Sequence, residues 1–243
     1  MNFRLRRALS LGAFLLLFPV TAAVMENDPA AELWRHYNST VSDAAVYKHE
    51  NLRRLFPLRF DAGTFTATVV TVTNYDYTLG QQSTTREVWV TAVPEVQQRC
   101  KAFTDPDLEL RLRQLLGLQP DAKEQFFVTM TVRASDIFRP AANPITTTEW
   151  PCADHDKDET CGEFFPTWAG NDHIKWVANQ MLTSYIISDS HNGAYSYPWT
   201  RLGYTYDWKP GADRYGASEY VIRPGSVINI LDKKRLGPYC GRM

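Results

Sequence analysis

The residues best suited to ligand chemistry lie together in one aromatic-rich stretch, Y-S-Y-P-W-T-R-L-G-Y-T-Y-D-W, at positions 195–208. Tyrosine and tryptophan combine a large apolar ring with a polar group, and such rings anchor many ligands and partner proteins. An arginine among them could hold a carboxylate or phosphate through two parallel hydrogen bonds. The candidate binding residues are therefore Tyr195, Tyr197, Trp199, Arg201, Tyr204 and Trp208.

The same stretch also has a purely structural interpretation. Aromatic rings bury about 150–250 Å² each, so a cluster of them can seal the end of a sheet. Arg201 would then pair with Asp207 or Glu219, and the alternating pattern at 203–208 would form a short strand. The sequence leaves both interpretations open.

Acid–base chemistry has three weaker candidate residues, His191, His173 and Glu219. Either histidine could act as a general base, with Glu219 as a second acid–base group and Arg201 as the group that stabilises developing charge. The sequence contains no G-x-S-x-G, H-E-x-x-H or glycine-rich phosphate-binding motif. A hydrolase or transferase is therefore the alternative to a non-enzymatic binding protein.

A partial metal-binding pattern lies in the acidic segment between Cys152 and Cys161. Asp154, Asp156 and Asp158 have the alternate spacing of oxygen ligands in a calcium loop. The glycine and the final acid that such a loop needs are both absent. We therefore expect a solvated loop and no cofactor, with calcium as the alternative.

Residues 1–23 have the pattern of a secretory signal peptide. Three arginines lie at positions 4, 6 and 7, an apolar run covers 8–20, and small residues follow. The apolar run is shorter than the ~20 residues that span a bilayer, although an uncleaved anchor is the alternative. We expect an exported protein, periplasmic or extracellular, with a single globular domain at 24–243.

The four cysteines of the chain all follow that segment. An even number of cysteines in an exported protein indicates disulfides. Of the three possible pairings we favour Cys152–Cys161, which closes a short loop, together with Cys100–Cys240, which ties the C-terminal region to the body. Zinc binding is disfavoured because no C-x-x-C spacing occurs.

Charge and hydropathy restrict the partners. Without the three arginines of the signal segment, 23 of the 26 basic residues remain against 27 acidic ones. This mildly acidic balance argues against nucleic acid as a partner. No later stretch approaches 18 consecutive apolar residues, so we expect no membrane span after signal cleavage. A small molecule, a glycan or another protein remains as the partner.

Hydrophobic periodicity predicts an α+β fold with a mostly antiparallel sheet packed against amphipathic helices, because strands and helices do not alternate regularly. Residues up to 56 favour two helices, the second capped by Ser42. The alternation slips at Val69 and Val70, which indicates a bulge or burial on both faces. The polar segment 74–85 is expected to be a long hairpin loop. Further helices are predicted at 104–116 and 171–187, and strands at 64–73, 86–93, 125–133, 218–222 and 226–231.

The helix predicted at 171–187 has the strongest amphipathic pattern in the chain. Three residues, His173, Trp176 and Gln180, align beside its apolar stripe rather than on it. The stripe expected to be buried consists of Ile174, Val177, Ala178, Met181, Leu182, Tyr185 and Ile186.

Overall fold

The structure is a computed structural model that describes residues 28–152, 161–186 and 196–242. The predicted signal segment lies outside these ranges. So do five of the candidate functional residues, namely Asp154, Asp156, Asp158, His191 and Tyr195.

The described residues form an α+β fold, as the sequence predicts. The helices are α1 (Pro29–Ala44), α2 (Glu95–Lys101), α3 (Leu108–Leu115), α4 (Asn171–Ser184) and α5 (Leu236–Tyr239). The strands are β1 (Thr66–Thr73), β2 (Gly80–Ser83), β3 (Val88–Ala92), β4 (Phe126–Arg133), β5 (Ile137–Phe138), β6 (Tyr204–Tyr206), β7 (Tyr215–Ile222) and β8 (Val227–Arg235). Short 3₁₀ turns occur at His49–Asn51 and Ala134–Asp136.

The strands form one antiparallel sheet in the order β2-β8-β4-β1-β3-β7-β5, and β6 pairs with the first half of β7. The central strand β1 pairs with β4 along its whole length without a register shift. Val69 and Val70 are both fully buried because both faces of this strand are covered. Burial on both faces, rather than a bulge, therefore explains the slip in the sequence pattern.

Both faces of the sheet carry an apolar core. One face packs against the segment that follows α1, through a cluster that includes Leu58, Val69, Val90, Met130 and Tyr220. The opposite face packs against α2, α3 and α5, through a cluster that includes Val70, Val96, Leu115, Phe127 and Tyr239. We call this second face the helical face of the sheet.

The segment at 74–85 differs from the predicted hairpin loop because it contains the edge strand β2. Gly80 pairs with Ile230 of β8, and the pairing continues to Ser83. The sequence G-Q-Q-S has no apolar alternation, so periodicity gives no strand signal there. Backbone hydrogen bonding to β8 defines this strand.

The second helix predicted near Ser42 is absent, because one helix covers that region. The Asp28 carboxylate accepts a hydrogen bond from the Ala30 N–H at 3.0 Å and caps α1. The helix then continues through Ser42 to Ala44. Within the described ranges, no helix has the length and apolarity needed to cross a membrane.

The buried face of α4 differs from the predicted stripe. The residues that are fully buried are His173, Val177 and Ser184, whereas Leu182 remains 69% exposed. The inward face is partly polar, and most of its polar groups are hydrogen-bonded, although His173 Nδ1 has no partner among the described residues. For example, the Trp176 indole N–H donates to Glu87 Oε1 at 2.6 Å.

Both favoured disulfides are present. Cys100 of α2 is bonded to Cys240, directly after α5, and Cys152 is bonded to Cys161. The long-range bridge is buried beside the helical face of the sheet and joins two of the helices that cover it.

Candidate functional site

A cavity of about 300 Å³ lies on the helical face of the sheet. Its floor is formed by β1, β3 and β7, and its cover by α4, residues 116–118 after α3 and residues 197–199. Most of the surface is apolar, with Val72, Trp89 and Leu118 among the lining residues. A concave, mainly apolar cavity with a few polar groups is the usual form of a small-molecule site.

The sheet register sets one row of residues across the cavity floor. Val70 of β1 pairs directly with Thr91 of β3, and Thr91 pairs with Glu219 of β7. Directly paired residues of neighbouring strands point to the same face of a sheet. Glu219 is therefore carried into an apolar cavity by a rigid central part of the fold.

The cover of the cavity is fixed to the C-terminal end of α4. The Tyr197 N–H donates to the Ser184 carbonyl at 2.8 Å, and the Tyr185 hydroxyl donates to the Trp199 carbonyl at 2.7 Å. Pro198 lies between these two anchored residues and also lines the cavity. Two of the candidate binding residues, Tyr197 and Trp199, are thereby held on the cavity wall.

The Trp199 ring belongs to a cluster of tryptophans. Its centroid lies 5.9 Å from that of Trp176 and 6.4 Å from that of Trp89, both in edge-to-face orientation. The side chain is 4% exposed. Among the described residues, its indole Nε1 has no hydrogen-bond partner, although it is buried.

Glu219 is the acidic side chain of the cavity wall. It is 6% exposed, it forms no ion pair in the described part of the chain, and its Oε1 is buried without a partner there. Burial raises the pKa of Glu219 to about 8, and the nearby Trp199 indole N–H offsets this increase to a smaller extent. The carboxyl is thus mainly protonated at pH 7.

Replacing Glu219 by glutamine is expected to remove a pH-dependent loss of stability. An unfolded chain releases this proton near pH 4.3, whereas the folded protein holds it to about pH 8. The free energy of unfolding of the unaltered protein should therefore fall between these two pH values. From pH 5 to pH 8, we expect the free energy of unfolding of the variant to rise by about 3 kcal/mol relative to that of the unaltered protein.

Urea unfolding of both proteins at the two pH values measures this difference. The other titrating groups are common to both proteins, so their effects cancel in the difference between the two unfolding free energies. The change of that difference with pH therefore reports on Glu219. A gap that stays the same at pH 5 and pH 8 would show that the carboxyl keeps an ordinary pKa in the folded state.

Arg201 lies outside the cavity lining and pairs with neither of the acids suggested by the structural interpretation. Its Nη2 donates to the Ala45 carbonyl at 2.9 Å, and the guanidinium lies 5.7 Å from the centroid of the Tyr185 ring. Asp207 is bound instead by Arg111. Arg201 therefore links α1 to the end of α4.

Tyr204 and Trp208 are core residues and do not line the cavity. The Tyr204 hydroxyl donates to the Asn51 carbonyl at 2.7 Å, and the Trp208 indole N–H donates to the Leu118 carbonyl at 2.9 Å. Tyr204 begins β6, so the alternating pattern does form a short strand. The aromatic stretch thus contains residues that line the cavity, Tyr197, Trp199 and Tyr206, and core residues that do not, Tyr204 and Trp208.

His173 is buried under the aromatic cluster and is also absent from the cavity lining. Its Nε2 is 2.8 Å from the Ala141 carbonyl, and burial lowers its pKa. The described part of the cavity wall therefore contains Glu219 but neither His173 nor Arg201. Within those residues, no group of three His, Cys, Asp or Glu side chains is arranged to hold a metal ion.

Sequence reasoning missed several cavity residues, notably Trp89, Gln180 and Ser184. A usable signal was present for the last two. Gln180 and Ser184 are four positions apart and continue the partly polar helix face that begins at His173 and Trp176. Trp89 lies inside a predicted strand, where a tryptophan is equally compatible with an ordinary core.

Comparisons of the chain with protein-family models, with curated proteins and with solved structures gave no match.

Proposed function

We propose that this chain is an exported binding protein that takes up a small, uncharged and largely apolar molecule in the cavity covered by Tyr197 and Trp199. The observation that carries the proposal is the cavity itself, with its apolar walls and its few polar groups. The alternatives of glycan or protein binding at an aromatic surface receive less support, since Trp199, Tyr204 and Trp208 are all buried.

The size of the cavity suits a compact ligand. A volume of about 300 Å³ is at the lower end of the range for small-molecule sites. Because an apolar cavity of about 150 Å³ already accommodates benzene, this one has room for a two-ring molecule. Burial of such a molecule would be driven by the removal of apolar surface from water.

The charge of the lining disfavours anions. None of the described residues on the cavity wall is lysine, arginine or histidine. Glu219 is mainly neutral at pH 7 because its burial raises its pKa to about 8. An anionic ligand would have to leave water without meeting a compensating charge, which is costly in an apolar site.

The export part of the proposal rests on two separate features. Residues 1–23 have the arginine-rich start, apolar run and small residues of a signal peptide. Both disulfides are of the kind that persists in an oxidising compartment. Periplasmic and extracellular locations are equally compatible with these features.

Filling the cavity tests the binding function. The probe is 2-acetylnaphthalene, a neutral two-ring molecule, and its binding is measured by isothermal titration calorimetry. We expect it to bind the unaltered protein and to bind the variant Val72→Trp at least tenfold more weakly. Val72 lines the cavity, so the larger ring occupies space that the probe needs. The matched control is Val227→Trp, which places the same ring at a 45% exposed position of β8.

The control should bind the probe as the unaltered protein does. A circular dichroism melt of each variant shows whether it has remained folded, since an added ring in a core can cost about 1–3 kcal/mol. Equal binding by both tryptophan variants would show that the probe binds outside this cavity. If none of the naphthyl probes binds the unaltered protein, the proposal is overturned.

A second candidate function is an enzyme that uses Glu219 as a general acid or base. The specific observation in its favour is a buried carboxyl whose pKa is raised towards neutrality in a cavity. Against it, His173 and Arg201 do not reach that cavity. If the protein converts a bound molecule chemically, and the variant Glu219→Gln binds that molecule without converting it, the enzymatic function is favoured over binding alone.

A further inference from the structure

We infer that the ligand of this cavity carries a carbonyl-type oxygen, held by two donors, the indole N–H of Trp199 and the protonated carboxyl of Glu219. The inference rests on the proposed binding function and specifies the chemistry of its ligand. A ketone, an amide or an ester with an apolar body belongs to this class.

Trp199 and Glu219 come close to each other at the wall of one cavity. Trp199 and Glu219 both line it, and both are more than nine-tenths buried. The indole N–H lies close enough to the carboxyl to lower its pKa. However, the two groups do not meet the geometry of a hydrogen bond, and each keeps a buried polar atom without a partner in the described chain.

A buried donor without an acceptor loses its hydrogen bonds to water and gains none in return. A carbonyl oxygen has two lone pairs and can accept from two donors at once. One ligand oxygen placed between Trp199 Nε1 and the Glu219 carboxyl would therefore satisfy both groups.

Neighbouring polar side chains of the cavity wall already form hydrogen bonds within the protein. Gln180 Nε2 donates to the Ser184 hydroxyl at 2.9 Å, and the Thr205 hydroxyl donates to the Leu115 carbonyl at 2.7 Å. Within the described lining, the buried side-chain polar atoms without a partner are Trp199 Nε1 and Glu219 Oε1.

Among the described residues, the other titratable groups that face Glu219 are tyrosines, namely Tyr185 after α4, Tyr197 on the cover and Tyr206 of β6. Burial raises the pKa of each of them, so they remain neutral below pH 9. β1, β3 and α4 contribute only uncharged side chains to the lining.

This neutral surrounding distinguishes a carbonyl from an ammonium ligand. An ammonium group would require Glu219 to ionise in an apolar cavity before the two charges could pair. A carbonyl oxygen binds to the protonated carboxyl, the form that predominates in the protein at pH 7. The carbonyl therefore needs no change in protonation.

The test uses three naphthyl probes of similar size. They are 2-acetylnaphthalene, 2-isopropenylnaphthalene, in which a CH₂ group replaces the oxygen, and 1-(2-naphthyl)ethylamine, which carries an ammonium group. In titration calorimetry at pH 6.5 we expect the ketone to bind about 30-fold more tightly than the alkene, because the alkene leaves both donors unpaired. The ketone should also bind more tightly than the amine.

Variants of Glu219 separate donation from simple packing. Glu219→Gln retains an N–H donor, so it should keep part of the preference for the ketone. Glu219→Leu should lose most of that preference, since only Trp199 still donates. In the unaltered protein the ketone affinity should fall above about pH 8, where the carboxyl ionises, and this fall should be absent in Glu219→Gln.

A spectroscopic readout reports on the hydrogen bonds themselves. The ¹³C-labelled carbonyl of 2-acetylnaphthalene should shift downfield on binding to the unaltered protein, and less so on binding to Trp199→Phe. Equal affinity for the ketone and the alkene would overturn this inference while leaving the binding function intact. Tighter binding of the amine would assign the site to ammonium ligands, and failure of all three probes would overturn the binding function as well.

Discussion

Replacing both Cys100 and Cys240 by alanine is expected to lower the free energy of unfolding by about 5 kcal/mol, the largest loss from any change considered. The two cysteines are 140 positions apart, so their bond removes a large amount of freedom from the unfolded chain. The bond also joins α2 to the C-terminal end of α5 beneath the cavity-bearing face of the sheet. Its loss should therefore loosen that face as well as destabilise the chain.

The measurement is urea unfolding at pH 7 under non-reducing conditions, with Cys152→Ala plus Cys161→Ala as the matched control. That pair is separated by 9 positions, so the same entropic relation gives a loss of about 2.5 kcal/mol. Equal losses in the two double variants would contradict the loop-length argument. A loss below about 1 kcal/mol for the long-range pair would contradict its stabilising role altogether.

Asp207→Ala is expected to lower the free energy of unfolding by about 3 kcal/mol, because the buried guanidinium of Arg111 loses both of its short hydrogen bonds. Only the more distant carboxylate of Asp105, at 3.9 Å, then remains beside it. Two parallel hydrogen bonds join these side chains, with Nη1–Oδ1 at 3.0 Å and Nη2–Oδ2 at 2.6 Å. Both residues are more than nine-tenths buried. The pair connects α3 to the chain just after β6, and the cavity is lined by β6 and by the residues that directly follow α3.

A double replacement separates the loss of the pair from the cost of a buried charge. Arg111→Met with Asp207→Leu should be less destabilised than Asp207→Ala alone, because neither charge then remains buried. The exposed pair of Lys234 and Asp232 provides a control, and Asp232→Ala should change the unfolding free energy by less than about 1 kcal/mol. If Asp207→Ala costs no more than that control, the buried pair does not stabilise the fold.

The central strands could be predicted from sequence because their signal is local. β1 and β4 were expected at 64–73 and 125–133 and occur at Thr66–Thr73 and Phe126–Arg133. Their β-branched and apolar residues alternate with the two-residue period of a strand. The disulfides were also predictable, because four cysteines allow few pairings and one of these closes a short loop.

The edge strand β2 and the orientation of α4 could not be predicted, because neither depends on local hydrophobic pattern. β2 exists through its pairing with β8. Periodicity places the apolar stripe of a helix inward. In α4 the inward face instead carries His173 and Trp176, which make specific polar and aromatic contacts, while Leu182 remains exposed.

The candidate site was only partly predictable for a related reason. Tyr197, Trp199 and Glu219 were singled out by residue type, but their convergence depends on the pairing of β3 with β7 and on the anchoring of 196–199 to α4. Trp89 comes from a distant part of the chain and joins them only in the folded protein. The residues that line the cavity come from several separate parts of the sequence.

A crystal structure of the protein with 2-acetylnaphthalene tests the central claim most directly. We expect the two rings to occupy the cavity and the carbonyl oxygen to lie within about 3.2 Å of both Trp199 Nε1 and a carboxyl oxygen of Glu219. A probe bound elsewhere, with the cavity empty, would contradict the assignment of the cavity as the binding site. A probe bound in the cavity with its oxygen directed away from Glu219 would contradict the inferred recognition of a carbonyl group.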